Sequence, residues 1–164
     1  MFDAYLLIEG IPGESTAKGF EDHIEVLSYG HNVSQSANMS ASTAGGATTG
    51  RSTHGDFSIV KELDKASPLL NQQCSSGMHI PTITMVLVRS SGSDDRVPYM
   101  EYKLTRCIIS SVSVGGGGGD AMPSESVTFN YGKIDWTYTQ QKHDDGSGGG
   151  KTTGSWNLQT NAAK

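Results

Sequence analysis

Cysteine is scarce: Cys74 and Cys107 are the only two in 164 residues. Two thiols do not make the disulfide framework that staples small secreted domains. They read as buried, reduced side chains packing as small hydrophobes, with a single bridge as the alternative. Blocks of basic residues are also missing. Lys61, Lys65, Arg89, Arg96, Lys103, Arg106 and Lys133 are scattered, the net charge is −5 and the pI about 5.4. That balance argues against nucleic acid and against an anionic membrane surface as partners. No apolar run approaches the ~20 residues that span a bilayer. The opening MFDAYLLIEG lacks a basic start and carries Asp3 and Glu9, so it does not read as a secretory signal peptide. The expectation is synthesis and folding in the cytoplasm, with any export taking another route.

Catalytic and cofactor motifs are as thin. DDGSGGGKTTG, residues 144–154, imitates a phosphate-binding loop. Counting back from Gly150-Lys151-Thr152, however, the first glycine of that pattern falls on Asp145. An anion there repels phosphate, and TTGSWN is a poor start for the helix such a loop needs. The run VGGGGGDAMPSES leads into a strand and reads as a hairpin loop. His23, His31, His54, His79 and His143 show no metal-ligand spacing, and no Cys-x-x-Cys occurs. Gly-x-Ser-x-Gly is absent too. The sequence predicts no catalytic residue, no metal site and no cofactor.

What the chain does have is strand. Ser, Thr, Val, Ile and Tyr are common beside 21 glycines, a balance that favours strands and turns. FDAYLLIEG reads as a first strand. In HIEVLSYGHNVSQS, Leu27, Tyr29, His31 and Val33 alternate with Ser28, Gly30, Asn32, Ser34 and Ser36, a bulky face against a small polar one. Residues 38–55 form a long polar loop with almost nothing for a core. DFSIVKEL is a strand, and DKASPLLNQQCSSG a short helix with Ser67 as cap, Pro68 in its first turn and Gly77 at its end. IPTITMVLVRS is a strand and SGSDD a turn. VPYMEYKLTRCIISSVSV follows, with Met100, Tyr102, Leu104 and Ile108 on one face and Arg106 the exception there. In ESVTFNYGKIDWTYTQQ the inward parity changes near Gly132, which predicts a bulge. KTTGSWNLQT is a last strand after a glycine-rich loop at 143–150. Seven or so antiparallel strands with one short helix predict a mainly β fold, a small antiparallel β-barrel of two sheets. Trp156 and Tyr99 stand out as contact aromatics.

These stretches resemble the haemolysin-coregulated protein (Hcp) family, the tube subunits of the bacterial type VI secretion system. The resemblance runs nearly end to end. It lies in GES at Gly13–Ser15, IEVLSYGHNVSQS at Ile24–Ser36, FSIVKELDKASPLL at Phe57–Leu70 and CSSGMHIP at Cys74–Pro81. It continues in ISSVSVGG at Ile109–Gly116, SESVTFNYGKIDWTY at Ser124–Tyr138 and the late GSWN.

The resemblance implies one barrel domain over residues 1–164 with a flanking helix. It implies a homohexameric ring, rings stacked into a hollow tube, and effector proteins carried in the lumen. Spike and sheath proteins of the apparatus are the other implied partners, and release goes through that apparatus from the bacterial cytoplasm. The small polar face of Ser28, Gly30, Asn32 and Ser34 is then the candidate lumen and cargo face. Relatives tend to hold a small polar residue where Gly30 stands, so a hydroxyl is missing there. Met39, Thr43, Thr48, Arg51 and His54 become the candidate inter-subunit loop. The end at Lys164 leaves no room for the toxic extension of some relatives, so the expected role is tube or carrier. The competing expectation is a β-barrel that binds a small molecule in an open apolar interior, which dense interior packing would leave no room for.

Overall fold

The run MVLV, residues 85–88, is apolar throughout because its strand is covered there on both faces. The computed structural model describes residues 2–38, 48–90, 96–141 and 148–164. Within these, the strand β9 (Ile80–Ser90) turns Ile83, Met85 and Leu87 into the main core, while Val86 and Val88 join Tyr5 and Phe20 in a second cluster. The second cluster is made by residues 9–23, which fold back over the sheet. Tyr5 and Phe20 stack at 4.8 Å, and the backbone N–H groups of Gly13 and Ser15 donate to the carbonyls of Asp22 and His23. A Cβ on Gly13 would lie 2.4 Å from the His23 carbonyl oxygen, so this crossing requires glycine.

In chain order the elements are β1 (Asp3–Ile8), β2 (Ile24–Val26), β3 (Ser28–Gly30), β4 (Val33–Ser34), β5 (Ala37–Asn38), β6 (Thr48–Thr49), β7 (Thr53–His54) and β8 (Phe57–Glu62). The helix α1 (Ser67–Ser76) follows, then β9, β10 (Arg96–Gly115), β11 (Ser124–Gln141) and β12 (Gly148–Asn157). The main sheet is antiparallel throughout in the order β2-β1-β9-β10-β11-β8-β3, with β12 also on β11. Its two end strands are consecutive in the chain. Leu27 joins them and donates its N–H to the Val60 carbonyl at 2.8 Å, so the sheet curls into a nearly closed barrel. Phe57, Ile59, Leu104, Ile109, Val127, Phe129 and Ile134 fill the interior and are almost fully buried. Side chains occupy the space that a small-molecule barrel would leave open. Both cysteines are free, Cys107 buried and Cys74 half-buried.

Several local expectations are corrected. The stretch 27–36 is not one strand: β2 faces its even residues inward, β3 its odd ones, and Leu27 and Val33 are exposed. Ser67 does not cap α1. Ala66 holds the cap position, and the Ser67 hydroxyl is buried among Lys61 and Glu125. Gly77 does end the helix, left-handed at φ 65°.

The change of parity at Gly132 is present, but the pairing register runs through it unbroken, from Thr105 opposite Lys133 to Cys107 opposite Tyr131. Both strands change phase together. In β10 the buried residues pass from Leu104 to Cys107 and Ile109, and in β11 from Tyr131 to Ile134. Arg106 makes this possible with a left-handed φ of 55°. Cys107 is therefore buried, and Ile108, which alternation groups with Leu104, turns outward. The shift in register falls instead between Ile109 and Ser111.

Candidate functional site

Four strands, β3, β8, β11 and the second half of β10, present hydroxyls on their outer face. Cross-strand register sets the pattern, because residues opposite one another share a face. Ser28 stands opposite Val60, Val60 opposite Ser126, and Ser126 opposite Ser113. In the next row Gly30, Ser58, Thr128 and Ser111 follow in the same way. The hydroxyls bind one another: Ser110 and Ser111 lie 2.7 and 2.6 Å from the Thr128 hydroxyl. Asp56 closes one end, accepting from the Ser110 hydroxyl at 2.7 Å and from the Asn130 amide at 3.1 Å. Ser58 donates to the Gly30 carbonyl at 3.2 Å. A Cβ at Gly30 would come 3.1 Å from the Ser58 oxygen, so the glycine leaves that hydroxyl room.

The lateral edges of this face are free among the described residues. β3 pairs only with β8, and β10 beyond Cys107 pairs only with β11. Unpaired edges offer rows of backbone donors and acceptors to another chain.

Beside this face a two-stranded arm leaves the barrel. Val33 and Ser34 pair with His54 and Thr53, and further out Ala37 and Asn38 pair with Thr49 and Thr48. An aromatic cluster roots the arm. His31 stacks on Phe57 at 5.8 Å, and His54 lies near Trp136 and His31 at 6.4 Å each. Tyr131 donates its hydroxyl proton to the Gly55 carbonyl at 2.9 Å. Its oxygen therefore accepts from His31 Nε2 at 2.6 Å, which places the His31 proton on Nε2. His54 Nδ1 is buried with no hydrogen-bond partner among the described residues. Burial lowers the pKa of both imidazoles, and the neighbouring His54 lowers that of His31 further. Burial, with the nearby Asp56 charge, pushes the Tyr131 phenol up.

A family model described as "Type VI secretion system effector, Hcp" matches residues 5–138. The chain belongs to the Hcp family. It is 37% identical to Protein hcp1 of Pseudomonas aeruginosa over 106 residues, 65% of each chain. A solved type six secretion system protein superposes with a TM-score of 0.91 at 30% identity, covering 100% of both chains. Hcp1 from Salmonella typhimurium superposes with a TM-score of 0.78 at 28% identity, covering 97% of this chain and 96% of that one. The family is a secreted structural component of type VI secretion.

In this Hcp-family chain the residues singled out from sequence divide between the two features. Ser28 and Gly30 lie on the hydroxyl face. Asn32 and Ser34 are exposed but belong to the arm, where the Asn32 carbonyl accepts from the Gly55 N–H. Thr48 lies in β6, and Arg51 donates to the Leu158 carbonyl at 3.2 Å. His54 is not a loop residue but part of the arm's root. Met39, Thr43, most of the glycine-rich loop and the SGSDD turn lie outside the described residues. Ser58, Ser110, Thr128 and Asp56 were missed. The signal was present as the alternation in FSIVKE and SESVTFN, but only the pairing of three strands shows that those polar faces coincide. Trp156 and Tyr99 are half-buried against the core rather than free contacts, and Arg89 covers the Tyr99 ring at 4.4 Å.

Proposed function

We propose that this chain is a structural subunit of the type VI inner tube, with no catalytic role. Six copies form a ring whose channel is lined by the hydroxyl face of β3, β8, β11 and β10. The observation that carries this reading is the coincidence of that face with two unpaired strand edges. A sheet segment open on both sides can continue into the next copy's segment, and a heterologous contact of that kind closes into a ring when its rotation allows. Hydroxyls suit the lumen, because they exchange hydrogen bonds readily and leave no apolar wall to trap cargo.

Stacked rings then form the tube, the arm and the loop 38–55 reach neighbouring subunits, and effector proteins ride inside. Spike and sheath proteins are the remaining partners, and the subunit leaves the cytoplasm through the apparatus with its cargo. Native mass spectrometry of the full chain, with negative-stain electron microscopy, tests the assembly. The expected result is six times the monomer mass and rings with an open centre. A strict monomer at high micromolar concentration would refute it.

A further inference from the structure

Two further surfaces lie at different levels of β11, one beside its first residues and one beside its middle, where it adjoins Asn130 at the edge of the hydroxyl face. At the first, Leu27, 59% exposed, stands among Glu14, Glu25, Glu62 and Asp64. Asp64 is paired with Lys61, but Glu14, Glu25 and Glu62 have no cationic partner among the described residues. This is an apolar knob beside three carboxylates that lack a cationic partner among the described residues.

At the middle of β10 and β11 a groove of about 570 Å³ is lined by His79, Ile80, Pro81, Ile108, Asn130 and Leu158 around Arg106. No carboxylate pairs with Arg106 among the described residues. Its side chain is nonetheless positioned. The backbone is held left-handed at φ 55°, and a Cβ on Gly132 would come within 3.0 Å of its Nε. A non-glycine residue in that conformation is strained, and such strain gathers at functional positions. The glycine keeps open the space in which the guanidinium lies.

Glu62 stands opposite Ser124, and Arg106 stands at the level of Gly132. Eight residues of β11 separate these levels, roughly 26 Å at the strand rise.

We propose that the Leu27 knob of one copy docks into the Arg106 groove of a second copy. The occupant fits in sign and in polarity. An exposed aliphatic side chain enters an apolar groove, and the carboxylates beside it meet an unpaired guanidinium, which binds carboxylates in a bidentate fork. In a chain of net charge −5, most approaches of two copies are repulsive, so this match selects one approach. Two different patches on one copy form a heterologous contact, which propagates from copy to copy when its rotation does not close a ring. The inference rests on the self-assembly reading above for its choice of partner, and it names the surfaces that join one ring to the next.

The test uses the full chain, with assembly beyond a single ring followed by sedimentation velocity and electron microscopy. Arg106→Glu alone, and Glu25→Lys with Glu62→Lys, should each raise the concentration for half-assembly at least tenfold. An equal mixture of the two variants should restore assembly, since each then offers the surface the other lacks. Arg106→Asn, whose short side chain tolerates the left-handed backbone, should also lose assembly, and on mixing with the lysine variant should stop at paired rings, because only one of the two alternating contacts is restored. Unchanged melting curves confirm that the variants fold. Stacking of Arg106→Glu at the wild-type concentration, or failure of the mixture to recover, overturns the proposal. Absence of self-association in the wild type instead overturns the assembly reading beneath it.

Discussion

Lys61 and Glu125 are buried together with Ser67 where the helix meets the sheet. Lys61 Nζ donates to Glu125 Oε2 at 2.9 Å, to Asp64 at 2.9 Å and to the Ser67 hydroxyl at 3.1 Å, and both Lys61 and Glu125 are at most 1% exposed. Such a pair adds little net stability, because desolvation offsets the attraction, but removing one partner strands the other. Lys61→Met should therefore cost about 3–5 kcal/mol, read as a lower melting temperature. Replacing Lys61 and Glu125 together with apolar residues should recover most of that loss. The imidazoles at the arm's root set a pH dependence of definite sign. Their folded pKa values are lowered by burial, so their contribution is complete above the unfolded value of about 6.5 and is lost as pH falls through the lowered folded values. The melting temperature should fall between about pH 7 and pH 5, and His54→Phe should flatten part of that slope. Neither site was legible in the sequence. Ser67 sits where a helix cap belongs, and its partner Glu125 is 58 residues away. His54 falls in a polar stretch that offers no sign of the aromatic ring it meets.

Among elements, legibility followed period and punctuation. The long strands and the Pro68-to-Gly77 helix stood out because alternation and breakers are local. The arm did not, since its pairs of two residues are too short to leave a pattern in a polar stretch. The strand at 24–30 was misread because Leu27 crosses from one partner strand to the other, and that crossing reverses which parity faces inward. Segment 9–23, with Pro12, Gly13 and Gly19, reads in the sequence only as a turn-rich connection. Its role as cover for β9 depends on Gly13, whose missing Cβ lets two backbones touch. Gly13→Ala has no flexible side chain to displace and should cost about 1–3 kcal/mol, the range for overpacking. A chemical-denaturation midpoint measures it, and the loss of the Tyr5–Phe20 stack should show in near-ultraviolet dichroism.

For the molecule as a whole, the barrel class was legible because interior residues alternate on several strands, whereas the shared outer face was not. Four strands from three regions of the chain build it, and only their register aligns Ser58 with Thr128 and Gly30. That face can be altered without touching the core. Ser126→Trp, at an exposed position of that face, should change stability by no more than about 0.5 kcal/mol, as exposed substitutions do, and should leave the ring intact. It should abolish co-purification of effector proteins, scored by pull-down against the wild type. Retained cargo would place the effector surface elsewhere on the ring.

The matched phase change at Arg106 and Gly132 couples the lengths of two strands. If β10 gained or lost a residue there alone, half of the hairpin would turn its apolar side chains to water, and the same holds for β11. Natural insertions and deletions at this level should therefore come in pairs, one in each strand. An engineered single deletion should be rescued by a second one opposite it, more than 20 residues away in the chain.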